Sequence, residues 1–357
     1  MSKSGYRSME SLSQVNRREF LRLTGAVSSA AGLGLVIGRS PLFSQEKQAT
    51  PPVRIKTNVD DALAVPRTKH SLPGLFPGKG YAHPEVLVDT QWVAEHLTAP
   101  KVRVVEVGYD LSDYNSGHIP GAVGWAWSTD FQHPIRKDLP DKGGMEELLA
   151  RSGIENDTTI LVYGARRHGY ATFALWLLKI YGHGDVRVMN GNREKWIAEG
   201  CPLTTEIPTV TPFVYIAREP DWSIRALRDR VLDSIGKPER ILVDVRTPEE
   251  YHGQLWDWWK YQAEASQRGG HIPGAVNIPW DMTLKEDGTF KSVEELQALY
   301  TNNGVTSDKE AISYCIVGGR SNHTWFVLTY LLGYPKVRLY DGSWAEWSTL
   351  IGVPIEK

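Results

Sequence analysis

Along most of the chain, short runs rich in valine, isoleucine and leucine alternate with longer amphipathic runs. Residues 102–107, 160–163 and 186–189 have the length and β-branched content of strands, whereas 171–181 has the character of a helix. Strands alternating with helices imply an α/β fold, with a mostly parallel sheet covered by helices on both faces. Residues 45–82 break the pattern. They hold Pro51, Pro52, Pro66, Pro73 and Pro77 without apolar periodicity, which predicts an extended arm.

The pattern is written twice. His118-Ile119-Pro120-Gly121-Ala122-Val123 recurs as His271-Ile272-Pro273-Gly274-Ala275-Val276, and Val104-Val105-Glu106-Val107 matches Leu242-Val243-Asp244-Val245. Further on, Leu161-Val162-Tyr163 matches Ile312-Ser313-Tyr314, and Gly182, Gly191 and Trp196 match Gly333, Gly342 and Trp347. Agreement at so many ordered points marks a duplicated module. The expected organisation is a targeting segment over 1–44, the arm over 45–82, one α/β domain over 83–205, a linker over 206–228 and a second domain over 229–357. The second copy carries an insertion with Trp256, Trp258 and Trp259, read as packing over the domain junction or as a lid or partner surface. His118, His271, Arg246 and Glu249 read as structural: the histidines pack or bond within their turns, and the other two fix a turn and a helix start.

Composition narrows the function. A length of 357 residues suits two domains, and 40 Lys and Arg against 42 Asp and Glu leave a formal charge of −2, so no basic field points to nucleic acid. The only cysteines are Cys201 and Cys315, too few for a disulfide scaffold or a thiolate metal cluster. Cys201, before Pro202 near the end of the first copy, reads as structural.

Cys315 directly follows a strand, and Ile316-Val317-Gly318-Gly319-Arg320-Ser321 then leads into a helix-like run from Asn322. A strand-to-helix turn aims backbone N–H groups and the positive end of the helix dipole inward, which favours an anion at its centre. A thiolate is such an anion and a nucleophile. Gly318 and Gly319 permit close backbone approach, and Arg320 is expected to bind an anionic substrate bidentately. Gly164 occupies the matching position in the first copy, beside Arg166, Arg167 and His168, which are expected either to add positive charge or to bridge the domains.

At the N-terminus, Asn16-Arg17-Arg18-Glu19-Phe20-Leu21-Arg22 runs into an uncharged stretch over 23–38 rich in Gly, Ala and Ser. This resembles a twin-arginine export signal, and the stretch is shorter than the roughly 20 strongly apolar residues of a spanning helix. The resemblance implies the twin-arginine export machinery as a partner, a periplasmic or extracytoplasmic location and no stable membrane anchor.

The two His-Ile-Pro-Gly-Ala segments, Val243-Asp244-Val245-Arg246, Tyr314-Cys315-Ile316-Val317-Gly318-Gly319-Arg320-Ser321-Asn322-His323-Thr324-Trp325 and Asp341-Gly342-Ser343-Trp344 together resemble a tandem-domain rhodanese, a thiosulfate sulfurtransferase. The resemblance implies two rhodanese-like domains with an active site between them and the nucleophile only in the second. It implies that Cys315 takes the outer sulfur of thiosulfate as a persulfide, releases sulfite and passes the sulfur to cyanide or a thiol, with no metal or organic cofactor. Backbone N–H groups of residues 316–321 would hold the persulfide, and Arg193, near an arginine position of related proteins, would either help to bind thiosulfate or form a surface salt bridge. Many relatives have arginine directly after the nucleophile, where this chain has Ile316. The alternatives are a 3-mercaptopyruvate sulfurtransferase, whose Cys-Gly-Ser-Gly type loop is absent, and a non-enzymatic persulfide carrier. A phosphatase of related fold keeps five residues between Cys and Arg, against four here.

Overall fold

The first copy contributes β1 (Leu87–Val88), α1 (Thr90–His96), β2 (Val102–Gly108), β3 (Val123–Ala126), α2 (Lys142–Arg151), β4 (Thr159–Gly164), α3 (Gly169–Ile180), β5 (Val186–Met189) and α4 (Asn192–Ala198). The second contributes β6 (Arg240–Asp244), α5 (Pro248–Tyr251), β7 (Val276–Asn277), α6 (Val293–Thr301), β8 (Glu310–Tyr314), α7 (Gly319–Phe326), β9 (Val337–Leu339) and α8 (Ser343–Trp347). The structure, a computed structural model, describes residues 80–164, 169–254 and 266–357. The twin-arginine segment, nearly all of the arm, Arg166, Arg167, His168, Trp256, Trp258 and Trp259 lie outside the described residues.

The sheet orders are β1-β5-β4-β2-β3 and β7-β6-β8-β9, with every pairing parallel. The registers Val104↔Leu161 and Leu242↔Ile312 place the repeated hydrophobic runs on the two central strands of each sheet. Where the first sheet has β1 at its edge, the second has a single parallel bridge from Arg225 of the linker to Leu339. Local signals set the helix starts. Asp89 accepts the Trp92 N–H at 2.7 Å and Asp141 the Gly144 N–H at 2.9 Å, while Thr247 with Glu250 and Ser292 with Glu295 form reciprocal capping boxes.

The His-Ile-Pro-Gly repeat ties the turn before β3 or β7 to the strand that precedes Gly164 or Cys315. The Ile119 N–H donates to the Tyr163 hydroxyl at 2.9 Å, and the Ile272 N–H to the Tyr314 hydroxyl at 3.2 Å. His118 stacks on Tyr114 with Nδ1 3.0 Å from its carbonyl oxygen, and His271 does the same with Tyr251. Both histidines are therefore held within their turns, as the pattern predicted.

Sequence periodicity treats the copies as separate domains, yet their inner faces build one interior. Val105 and Val107 of β2, Phe173 and Trp176 of α3, Val243 of β6, and Trp325 and Phe326 of α7 belong to a single buried cluster. The outer faces bury smaller clusters, Val104, Leu161 and Trp196 on one side and Leu242, Ile312 and Trp347 on the other. Alternation along β2 thus divides its side chains between a shared core and a private one. Polar ties cross the same junction: the Phe290 N–H donates to Asn190 Oδ1 at 3.0 Å, and Lys195 pairs with Asp287 at 3.2 Å. Among the described residues, no helix is long and apolar enough to cross a membrane.

Buried His183, at the turn after α3, is fixed between the Tyr215 hydroxyl and the Thr158 carbonyl, each 2.8 Å away. Burial lowers its pKa from 6.5 to about 4. The folded value lies below the unfolded one, so the stability gained from keeping the ring neutral is complete above pH 6.5 and lost as pH falls toward 4. Urea titrations between pH 7 and 4 are expected to show wild type losing about 3 kcal/mol more than His183→Gln. Equal losses would remove the assignment.

Candidate active site

Cys315 is the first residue beyond β8, at the carboxyl edge of the second sheet, where α/β folds place their ligands. Its turn is held from outside. The Trp344 and Ala345 N–H groups, at the start of α8, donate to the carbonyl oxygens of Cys315 and Ile316 at 3.0 Å each. Ser343 Oγ accepts the Cys315 N–H at 3.1 Å and donates to the Tyr340 carbonyl at 2.8 Å. With those carbonyls turned toward α8, the chain curls around the thiol, and the Gly318 N–H points at Cys315 Sγ from 3.1 Å. Cys315 is fully buried.

Gly318 makes the turn possible. Its φ is +88°, and a Cβ there would stand 3.1 Å from the Asp341 carbonyl oxygen and 3.3 Å from the Asp341 Cβ. Its own carbonyl accepts from Asn322 Nδ2 at 2.8 Å, Ser321 Oγ at 3.1 Å and the Asn322 N–H at 3.1 Å, which fastens the turn to the first turn of α7. Gly319 lies against the first copy. A Cβ on Gly169, the first residue of α3, would come within 3.1 Å of the Gly319 carbonyl oxygen, and Tyr170 sits 3.6 Å from the Cβ position of Gly319.

Of the residues expected at the site, the turn brings together Cys315, Ile316, Val317, Gly318, Gly319, Arg320 and Ser321. Ser321 is fully buried and bonded within the turn rather than presented to a ligand. Arg320 has a protein partner. Its Nη1 and Nη2 donate to the two carboxylate oxygens of Glu250 at 2.8 and 2.9 Å, so the edge suited to a bidentate substrate already holds a protein carboxylate. Burial would raise the Glu250 carboxyl, but the Arg320 partner holds it below the usual carboxylate range. Arg193 forms a salt bridge, one of the two roles expected of it, but a buried one. It is buried in the first copy, donating from Nη1 to both oxygens of Glu106 at 2.9 and 3.1 Å and from Nη2 to Ser116 at 3.2 Å. The Glu106 carboxylate needs a cation, and the residue matching Arg246 in this copy is Gly108, so Arg193 takes that place.

In the second copy, the acid matching Glu106 is Asp244, paired with Arg246 at 2.6 Å with both side chains fully buried. Arg246 also donates to the Gly270 carbonyl at 2.7 Å and lies 4.5 Å from the Trp344 ring centroid, so it is structural. Sequence reasoning places Glu249 at the following helix start, where it stands in the first turn of α5, but does not single out Glu250, the carboxylate of the Thr247 capping box. It also passed over Arg225, assigned to the linker, which donates to both oxygens of Asp341 and to Asp138, each at 2.8 Å. That arginine locks the linker to the segment that backs Gly318. Cys201 is partly buried against the outer core of the first copy. Among the described residues, no group of His, Cys, Asp and Glu is arranged to hold a metal.

Gly318→Ala is expected to cost about 1–3 kcal/mol from the left-handed backbone alone and to slow iodoacetamide alkylation of Cys315 about ten-fold as the Gly318 N–H is displaced. Gly319→Ala, with only an ordinary contact to Tyr170, is expected to change stability by less than about 1 kcal/mol. Urea titration and mass-mapped alkylation check both.

The chain matches the rhodanese-like domain twice, over residues 89–199 and 227–350. It is 53% identical over 281 residues to the sulfur carrier protein TtuD of Thermus thermophilus, covering 78% of this chain and 99% of the relative. It is 48% identical over 275 residues to a Mycolicibacterium smegmatis protein named "Putative thiosulfate sulfurtransferase", covering 77% and 99%. Among solved structures it resembles the anaerobic ergothioneine biosynthesis enzyme of Chlorobium limicola, with a TM-score of 0.66 at 24% identity over 78% of this chain and 71% of that one, a likeness of fold. Two parallel sheets, a turn wrapped around one cysteine and a double match over most of the chain have one reading: the protein belongs to the rhodanese family, with two rhodanese domains in tandem.

Proposed function

We propose that the protein is a thiosulfate sulfurtransferase that works through a persulfide on Cys315. The observation that carries the reading is the Gly318 N–H directed at Cys315 Sγ in a turn whose carbonyls face away. The same donor serves a thiolate and the terminal sulfur of a persulfide, since both are anionic sulfur. The Cys315 thiolate attacks the outer sulfur of thiosulfate; the sulfur–sulfur bond of the donor breaks, one forms at the cysteine, and sulfite leaves with the electron pair. Cyanide or a thiolate then attacks the outer sulfur of the persulfide and frees the Cys315 thiolate. Both steps are displacements at sulfur and need no external oxidant or reductant.

A second reading has a specific observation behind it, the name of the Thermus relative. As a sulfur carrier, the protein would form the same persulfide and hand it to a protein acceptor. Mercaptopyruvate as donor has only the shared chemistry in its favour. We propose further that Arg17 and Arg18 with the uncharged stretch 23–38 direct export, and that the domains divide near residues 83, 206 and 229.

Intact-mass analysis of protein lacking residues 1–44, after thiosulfate, is expected to show one added sulfur in wild type and none in Cys315→Ser. Sulfite should be released in equal amount and thiocyanate should form repeatedly with cyanide. A stable persulfide without turnover would favour the carrier; no added sulfur would end both readings. Replacing Arg17 and Arg18 together by lysine is expected to retain the full-length protein in the cytoplasm on fractionation, and unchanged export would end the targeting proposal.

A further inference from the structure

Behind Cys315 lies a row of charges that sequence analysis did not assemble. Asp244, at the end of β6, pairs with Arg246 at 2.6 Å. Glu250, on α5, accepts the Thr247 N–H at 2.9 Å and holds Arg320 through two bonds. Arg320 is in the first turn of α7, two residues beyond Gly318, whose N–H is aimed at Cys315 Sγ. The signs alternate from the sheet outward: Asp244 negative, Arg246 positive, Glu250 negative, Arg320 positive, then the thiol. Every member before the thiol already has an opposite partner. Glu250 is wholly buried, whereas the Arg320 side chain is about a fifth exposed, so the carboxylate is the fixed member and the arginine the one it orients.

We propose that Glu250 is a positioning residue that holds Arg320 beside Cys315 and at the same time cancels its charge, so that the turn offers a sulfur anion oriented N–H donors with little net positive field. The donor's identity rests on the sulfur-transfer reading, but the charge cancellation does not. An unopposed arginine next to the nucleophile would hold a dianion or a persulfide tightly and slow its departure. A paired one keeps its geometry, since both guanidinium nitrogens are fixed by a carboxylate that is itself held by the α5 capping box. Among the described residues, other charged or titratable groups around the turn are engaged as well. Arg246 is bound to Asp244, the Asp341 carboxylate to Arg225, the Tyr314 hydroxyl to the Ile272 N–H, and Tyr170 meets Gly319 through its ring. Glu250 therefore controls whether Arg320 acts on Cys315 as a charge.

The test is the pH profile of Cys315 alkylation by iodoacetamide in a Cys201→Ser background, which requires no sulfur donor and so stands if the sulfurtransferase reading falls. Glu250→Gln is expected to displace the profile to lower pH by about half to one unit, because a negative charge near the thiolate is removed. Arg320→Gln leaves Glu250 unopposed and should displace it as far to higher pH. The double variant replaces a buried ion pair by a neutral pair of similar size, a change that folds tolerate, and its profile should return to within about 0.2 units of wild type. Thr247→Val removes a capping bond and keeps both charges, so it should leave the profile in place. Thiosulfate KM should fall a few-fold in Glu250→Gln and rise in Arg320→Gln. An unmoved or higher-pH profile in Glu250→Gln, a double variant that does not return, or an equal shift in Thr247→Val would overturn the proposal. Should Glu250→Gln not fold, Arg320→Gln and the double variant decide it alone.

Discussion

Packing of α3 against α7 is the constraint on which the rest depends. The two helices bury Phe173, Trp176, Trp325 and Phe326 in one cluster, and their first turns meet closely enough that a Cβ on Gly169 would press on the Gly319 carbonyl oxygen at 3.1 Å. That contact joins two sheets into one interior and sets the start of α7, hence the turn around Cys315, against the copy that has Gly164 where the second has Cys315. The first copy is thus a structural half of the site. It supplies a wall and a fixed helix end rather than a second nucleophile.

Around the cysteine, satisfaction of backbone groups explains the geometry better than charge. Two N–H groups of α8 and the Ser343 hydroxyl take up the polar groups of Cys315 and Ile316 that would otherwise be orphaned in a buried turn. The remaining N–H of Gly318 has the sulfur as its acceptor. Arg225 reinforces this from behind by holding Asp341, whose backbone abuts Gly318. Three described arginines near the site have carboxylates: Arg225 with Asp341, Arg246 with Asp244 and Arg320 with Glu250. Among the described residues, a backbone N–H is aimed at the sulfur, and these three guanidinium groups are held by protein carboxylates.

The comparison of the copies shows how one physical requirement is met from different positions. Glu106 and Asp244 occupy matching positions on matching strands and are both buried, so each needs a cation. In the second copy Arg246 supplies it from two residues away, where the guanidinium also packs on Trp344. The first copy has Gly108 there, and Arg193 reaches in from α4. Trp344 occupies the place in the second repeat that matches Arg193, so the exchange is reciprocal: the arginine and the space it fills have traded elements.

The sequence by itself determined the duplication, the parallel α/β class and the position of the cysteine. These depend on local periodicity, on a repeated segment and on one residue following a strand, all of which a linear pattern records. It also marked Gly318 and Gly319 as positions of close approach, because a missing side chain is visible without knowing what comes near. It could not supply the partners of Arg320 and Arg193, because a charged residue's partner is whichever opposite charge the fold brings to it. Glu250 and Glu106 lie 70 and 87 residues away along the chain. Only the tertiary structure decided those partnerships, along with the common core and the clamp at Arg225, since burial of a charge has a cost that no local pattern carries and that only a distant carboxylate can offset.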